Sequence, residues 1–261
     1  MRKKVFLIGT GPSLKNIDVS KLKSFDTLTY NRAYLAFDEW GFDPTYYVAI
    51  DSNDNRSMYK DINKLASESK IQKMFLVQTS DNDLHRPEDF QDGEQVKDYE
   101  MYVQSEKIIR IVNDHSNSSF DGLRIHYDKQ GAVINAAIEP NAGFFSLKMM
   151  YNAGYRDFYL LGHDVRYKVD ADSTSHITIR GGQWTSSANA DVNHFRPDYC
   201  GKGMTFGSPN EDMILGLWRS FIPFAESYDI NVTSCSPISR LNEFVKYQNF
   251  EEVMDEINGS N

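Results

Sequence analysis

The sequence has 261 residues, 40% of them hydrophobic and 25% charged, the proportions of a soluble globular chain that can bury a sizeable core. A formal net charge of −9 excludes a general nucleic-acid binder, which would carry a basic face. The two cysteines, Cys200 and Cys235, fall in no C-x-x-C or other metal-ligand spacing, which points to a reducing compartment rather than a disulfide framework.

Basic Met1 to Lys4 run straight into Val5 to Ile8, an apolar stretch too short for a signal peptide or a membrane span. A cytoplasmic location is therefore expected, with peripheral contact at the inner face of a membrane and self-association both left open. Val5 to Ile8 reads as a buried strand ended by Gly9-Thr10-Gly11-Pro12-Ser13, and Leu14 to Leu22 as a short helix or turn. Further strands are predicted at Thr27 to Tyr30, ending at Asn31, at Tyr46 to Ile50, ending at Asp51, and at Lys73 to Val77. Two more fall at Phe158 to Leu161, ending in Gly162-His163-Asp164, and at Ile230 to Val232. Helical patterns cover Arg56 to Ser67, Gly143 to Asn152 and Asn210 to Tyr228, the last with Met213, Leu217, Phe221 and Phe224 on one face. Residues 79–130 are polar and carry no clear assignment. Residues 168–208, rich in Ser, Thr, Gly and Asn, read as a flexible loop or lid within one domain spanning 1–261.

Strands alternating with helices predict an α/β fold, a mainly parallel sheet with helices on both faces. Ligands of such sheets sit beyond the carboxyl ends of the strands, where most of the polar signals here fall. The glycines of Gly9-Thr10-Gly11-Pro12-Ser13 permit either a simple strand-to-helix turn or a close approach of backbone amides to a phosphate. Position 14 is Leu, so the third glycine of a dinucleotide fingerprint is missing, and no Walker lysine follows. Asn31 and Asp51 each close a strand, as caps or as ligand contacts. Asn141-Ala142-Gly143 opens a helix whose N-terminus offers amides and the positive end of its dipole. In Asn193-His194-Phe195-Arg196-Pro197-Asp198-Tyr199 a histidine lies beside Arg196 and Tyr199, both good anion partners. Histidine, as a residue type, has the right chemistry to deprotonate a hydroxyl near neutral pH. Asp81/Asp83 and Asp170/Asp172 are D-x-D pairs of the kind that hold a divalent ion on a diphosphate, but such coincidences are common in a chain with 37 acidic residues.

On three features the sequence resembles the bacterial lipooligosaccharide sialyltransferases and the wider group sharing their core, which includes flagellin-glycosylation proteins and a pterin diphosphokinase. The features are the opening Gly9-x-Gly11-Pro12-Ser13-Leu14 with Asn31 after the second strand, the segment from Asn141 through Gly154-Tyr155 to Leu161-Gly162-His163-Asp164, and Asn193-His194-Phe195. The resemblance implies a modified Rossmann-like fold with a lid, binding a CMP-activated acidic sugar as donor with no cofactor and no metal. It implies His194 as catalytic base, the glycine loop (Gly9, Thr10, Gly11, Ser13) and Asn31 against the nucleotide, and the residues from Asn141 through Ala142 and Gly143 against the donor. Gly162, His163, Asp164 and Tyr199 join the same expected pocket. The family has Asn in place of Asp51, and Tyr in place of Arg166, here followed by Tyr167. Arg166 and Tyr167 are then expected to stabilise the departing phosphate. Sialic acid, Kdo and pseudaminic-type sugars all remain open as donors, with a glycan hydroxyl as acceptor. A metal-dependent pterin diphosphokinase, with Asp51 as ligand, and a nucleotide-sugar sensor without a base are the rival expectations.

Overall fold

The computed structural model describes residues 2–51, 55, 58–77, 84–85, 96–97, 102–116, 120, 122–128, 133–138, 141–167, 174–175, 183–186, 190–207 and 209–259. In chain order the strands are β1 (Lys3–Ile8), β2 (Thr27–Tyr30), β3 (Tyr46–Ala49), β4 (Lys73–Val77), β5 (Leu84–His85), β6 (Val96–Lys97), β7 (Ile108–Ser116) and β8 (His126–Tyr127). They continue with β9 (Val133–Ile138), β10 (Tyr155–Leu161), β11 (Thr174–Ser175), β12 (Gln183–Ser186), β13 (Thr205–Gly207), β14 (Asn231–Ser234) and β15 (Lys246–Tyr247).

Ten of these build one sheet in the order β15-β14-β10-β1-β2-β3-β4-β7-β9-β8. All pairings in it are parallel except that of β8 with β9. The expected α/β architecture is therefore present. Alternation along the strands feeds two cores. Val5 and Leu7 of β1 face one, Phe6 and Ile8 the other, because successive side chains point to opposite faces. The first core is covered by the helices Ala142–Asn152 and Glu211–Ser227, through Phe144, Phe145, Leu217, Trp218 and Phe221. The second is covered by the helices Tyr59–Glu68 and Phe250–Gly259, through Ile62, Val253, Met254 and Ile257.

Two 3₁₀ turns, Pro12–Asn16 and Val19–Leu22, cover the stretch read as a short helix or turn at Leu14 to Leu22. The inward stripe of Glu211–Ser227 is Ile214, Leu215, Leu217, Trp218, Phe221 and Ala225, with Met213 and Phe224 at its margin. The described part of 168–208 carries a three-stranded antiparallel sheet, β11-β12-β13, and the segment 190–204. Asp81, Asp83, Asp170 and Asp172 lie outside the described residues. Among the described residues no helix is long and apolar enough to cross a membrane.

Candidate active site

From β1 the chain moves outward through β2, β3, β4, β7 and β9, then returns to the other side of β1 as β10. The boundary between β1 and β10 is the topological switch point, beyond whose carboxyl ends an open α/β sheet places its ligands. The loops leaving these two strands are bound to each other. The Gly9 N–H donates to the Leu161 carbonyl at 2.6 Å and the Gly11 N–H to that of Gly162 at 2.8 Å. The Ser13 N–H donates to Asp164 Oδ2 at 2.8 Å, and its hydroxyl donates to Oδ1 of the same carboxylate. The glycines are needed for this close approach. A Cβ on Gly9 would lie 2.6 Å from the Gly162 oxygen, and one on Gly11 would lie 2.6 Å from both that oxygen and Asp164 Oδ2. The amides of Gly9, Gly11 and Ser13, expected at a phosphate, thus donate inside the protein. Asp164 is likewise a fastener. Burial pushes its carboxyl above the ordinary value, against the opposing hydrogen bonds of Ser13 and Ser236 and the charge of Arg166.

His163 packs beneath these loops, 5% exposed, edge-on to the Tyr30 ring at 5.8 Å. Its imidazole fills the space where Gly143 lacks a side chain; a Cβ there would meet the ring at 2.5 Å. Burial drives the His163 pKa down to about 4, although a hydrogen bond with the Leu7 backbone works the other way. Such a neutral, enclosed ring is badly matched to base catalysis near neutral pH. Asn141 caps the helix Ala142–Asn152, its Oδ1 accepting from the Phe144 N–H at 2.8 Å. Val165, β-branched, sits at φ 48°, a strained left-handed conformation directly after Asp164. Arg166 and Tyr167 follow. Arg166 is exposed, its Nε donating to the Ile238 carbonyl at 2.6 Å. The Tyr167 N–H donates to Glu211 Oε1 at 2.7 Å, and burial, with the charges of Glu211 and Asp164, pushes its hydroxyl up to about 12.

His194 is held over the same loops. The Phe195 N–H donates to the Thr10 carbonyl at 2.9 Å, fixing the segment to the glycine turn. His194 Nδ1 lies 2.7 Å from Asp191 Oδ2, and its ring stacks on Tyr199 with centroids 3.9 Å apart and planes at 13°. Asp191 Oδ1 also accepts from the Asn193 and His194 amides, at 2.7 and 3.1 Å. Burial raises the Asp191 carboxyl, but hydrogen bonding and charge from His194, with help from Asn193 and Cys200, outweigh it and hold the pKa below the ordinary value. In the neutral imidazole, an Nδ1–H donating to Asp191 leaves the lone pair on Nε2, the arrangement of an oriented general base. Arg196 is engaged elsewhere, by Asp198 at 2.8 Å and by Glu39.

At the end of β2, Asn31 adopts φ 51° and its carbonyl accepts from the Tyr47 hydroxyl at 2.7 Å. Among the described residues, Asn31 Oδ1 is buried without a hydrogen-bond partner, as is Nε of the next residue, Arg32. The Arg32 N–H donates to the Tyr199 hydroxyl at 3.3 Å, which joins this corner to the His194 ring. Asp51, at the end of β3, is half-buried and lies against β13, with Oδ2 3.5 Å from the position of a Cβ on Gly207. The structure therefore gathers the residues expected from the β1, β2 and β10 ends with His194 and Tyr199. It adds Asp191 and Arg32, which sequence reasoning did not single out. The one available signal was the spacing of Asp191, three residues before His194. Asp191, His194 and Cys200 also bring carboxylate, imidazole and thiol atoms within 4.8 Å of one another, a set that could hold a divalent ion.

The fold is shared with the MAf glycosyltransferase from Magnetospirillum magneticum AMB-1. The two are 14% identical with a TM-score of 0.50, over 100% of this chain and 37% of that one. Two structures of the sialyltransferase CstII from Campylobacter jejuni are similar at a TM-score of 0.45. The complex with the substrate analogue CMP-3FNeuAc is 14% identical over 95% of this chain and 86% of that one. The complex with cytidine-5′-monophosphate is 14% identical over 94% and 84%. No protein-family model matches the sequence, and no curated protein does.

Proposed function

We propose that this chain is a glycosyltransferase that moves an acidic keto-acid sugar from a CMP-sugar to a glycan hydroxyl, with inversion. The observation that carries the reading is the Asp191–His194 pair, stacked on Tyr199 and fastened to the glycine turn at the switch point of the sheet. The fold shared with a glycosyltransferase supports the reaction class, and the sequence resemblance supports the CMP donor. His194 Nε2 takes the acceptor hydroxyl proton. The acceptor oxygen attacks the anomeric carbon as the bond to the phosphate oxygen breaks, and CMP leaves with the electron pair. Tyr167, protonated at neutral pH, donates to the departing phosphate, and Arg166 offers the guanidinium nitrogens not engaged by Ile238. In the same reading no metal takes part, and residues 168–208 close over the donor within one domain acting in the cytoplasm.

The test is transfer from CMP-sialic acid to a glycan acceptor, alongside CMP binding by thermal shift. His194→Ala should lower turnover by about 10²–10⁴-fold and leave the CMP shift intact. Activity of this variant within about tenfold of wild type removes His194 as base. Transfer abolished by EDTA and restored by Mg²⁺ overturns the metal-free part of the reading, whereas Mg²⁺-dependent diphosphate transfer from ATP to a pterin, without sugar transfer, favours the diphosphokinase reading instead.

A further inference from the structure

Arg32 is the least engaged cation in the described site. Among the described residues its guanidinium donates only to Met204 Sδ, at 3.7 Å, while its Nε is buried with no hydrogen-bond partner. Asp198 feels its charge, yet that carboxylate is already gripped by Arg196 at 2.8 and 2.9 Å. A half-buried guanidinium with donors in surplus is costly unless an anion completes it. The neighbouring Asn31 Oδ1 is a buried acceptor in the same condition, so the two residues together call for an oxyanion flanked by a hydrogen-bond donor. Their position is fixed from two sides. The β2 end holds the backbone, and Tyr199, stacked on His194, accepts from the Arg32 amide.

We propose that Arg32 is the principal anion-binding side chain of this site. It takes the paired oxygens of an oxyanion on the donor bidentately, while Asn31 Oδ1 accepts from an adjacent hydroxyl or amine. This inference rests on the glycosyltransferase reading for the identity of the donor, not for the chemistry recognised. Both a nucleoside monophosphate and a 2-keto-acid sugar carry that chemistry, through a phosphate or a carboxylate beside hydroxyl groups.

Binding of cytidine, CMP, CMP-sialic acid and the carboxyl methyl ester of CMP-sialic acid separates the sources. It is measured by calorimetry on wild-type protein, Arg32→Gln and Arg32→Lys, with circular dichroism confirming that each is folded. If Arg32 takes the phosphate, Arg32→Gln weakens CMP by about 10–100-fold and leaves cytidine unchanged. If it takes the sugar carboxylate, CMP is unchanged, and CMP-sialic acid falls to the affinity of its methyl ester. In both cases Arg32→Lys, which keeps the charge and loses the fork, recovers part of the loss. A parallel series with uridine/UMP and guanosine/GMP tests the donor base. A preference for UMP or GMP overturns the CMP reading, while loss of the increment from nucleoside to nucleotide in Arg32→Gln still upholds Arg32. Wild-type protein that gains nothing from any of these anions, or an Arg32→Gln protein that binds all of them as wild type does, overturns the inference.

Discussion

Replacing His163 by Gln tests the site's internal frame through acid stability. The ring is fully enclosed, and its folded-state pKa is about 4, against about 6.5 for an unfolded histidine. Because the folded value is the lower one, the unfolded chain takes up a proton that the folded chain refuses as pH falls through this window. Stability is therefore lost progressively from about pH 6.5 down to about pH 4 and levels off below. At roughly 1.4 kcal/mol per pH unit, the loss from this one group is about 3 kcal/mol. Carboxyls titrate at the acid end of the window as well. Asp164, held above its ordinary value, and Asp191, held below it, act in opposite directions, but both are present in wild type and variant alike. The difference between the two proteins isolates the histidine. Urea unfolding followed by tryptophan fluorescence, in steps from about pH 7.5 to about pH 4, gives the two curves. His163→Gln should start less stable at neutral pH and fall less steeply, by about 3 kcal/mol over the window. Parallel curves would mean that the ring is charged or solvated in the folded state, and the placement of His163 beneath the glycine loops would be wrong.

Three further outcomes follow from the same geometry. Gly11→Ala should destabilise by about 1–3 kcal/mol, because its Cβ would press on the Gly162 carbonyl and on Asp164, and neither can swing away without breaking the fastening between the β1 and β10 loops; chemical denaturation measures it, and an unchanged midpoint would show that the loops are not packed this closely. Asp191→Ala should lower kcat roughly 10–100-fold with little change in donor KM, since it removes the group that orients the His194 ring; loss through donor KM alone would make Asp191 a binding residue instead. Trp218→Ala should cost about 3–5 kcal/mol of stability, because the indole lies fully buried and edge-on to Phe144 at 5.2 Å; Trp218→Phe should cost much less, since the indole N–H it removes has no partner among the described residues.

The central sheet was legible because its strands are short apolar runs punctuated by polar residues. Thr27–Tyr30 and Lys73–Val77 lie where their composition puts them, and β10 only begins three residues earlier than the apolar run of Phe158 to Leu161. The far edge was not legible. β7, Ile108–Ser116, has its apolar half inside a long polar region and ends in Asn-Asp-His-Ser, which no propensity argument assigns to a strand. β9, Val-Ile-Asn-Ala-Ala-Ile, is a run that periodicity alone cannot divide between helix and strand. In the site, the glycine turn, Asn31, Asn141 and His194 announce themselves by type and context. Arg32 does not, because an arginine after a strand is ordinary, and what distinguishes it is the partners its tertiary surroundings withhold. Asp191 becomes visible only when the chain folds back over three residues to place its carboxylate on Nδ1.

The hydrogen bonds at the switch point also constrain how any oxyanion is held there. In phosphate-cradling loops the glycines free backbone amides to point at the ligand. Here the amides of Gly9, Gly11 and Ser13 point instead into the loop that leaves β10, and Asp164 is the acceptor for the last of them. A negative charge bound beside them receives little from those donors and faces a carboxylate on the far side of Ser13. In the proposed reading, neutralisation then falls to the guanidinium of Arg32 at the β2 end and to Arg166 beyond the strained Val165, with Tyr167 as a neutral hydrogen-bond donor. The glycine turn thus locks two strand ends in register, and in the proposed reading the charge chemistry falls to residues on either side of His194. On this argument, glycine substitutions should act first on stability, whereas substitutions at Arg32 should act first on anion affinity.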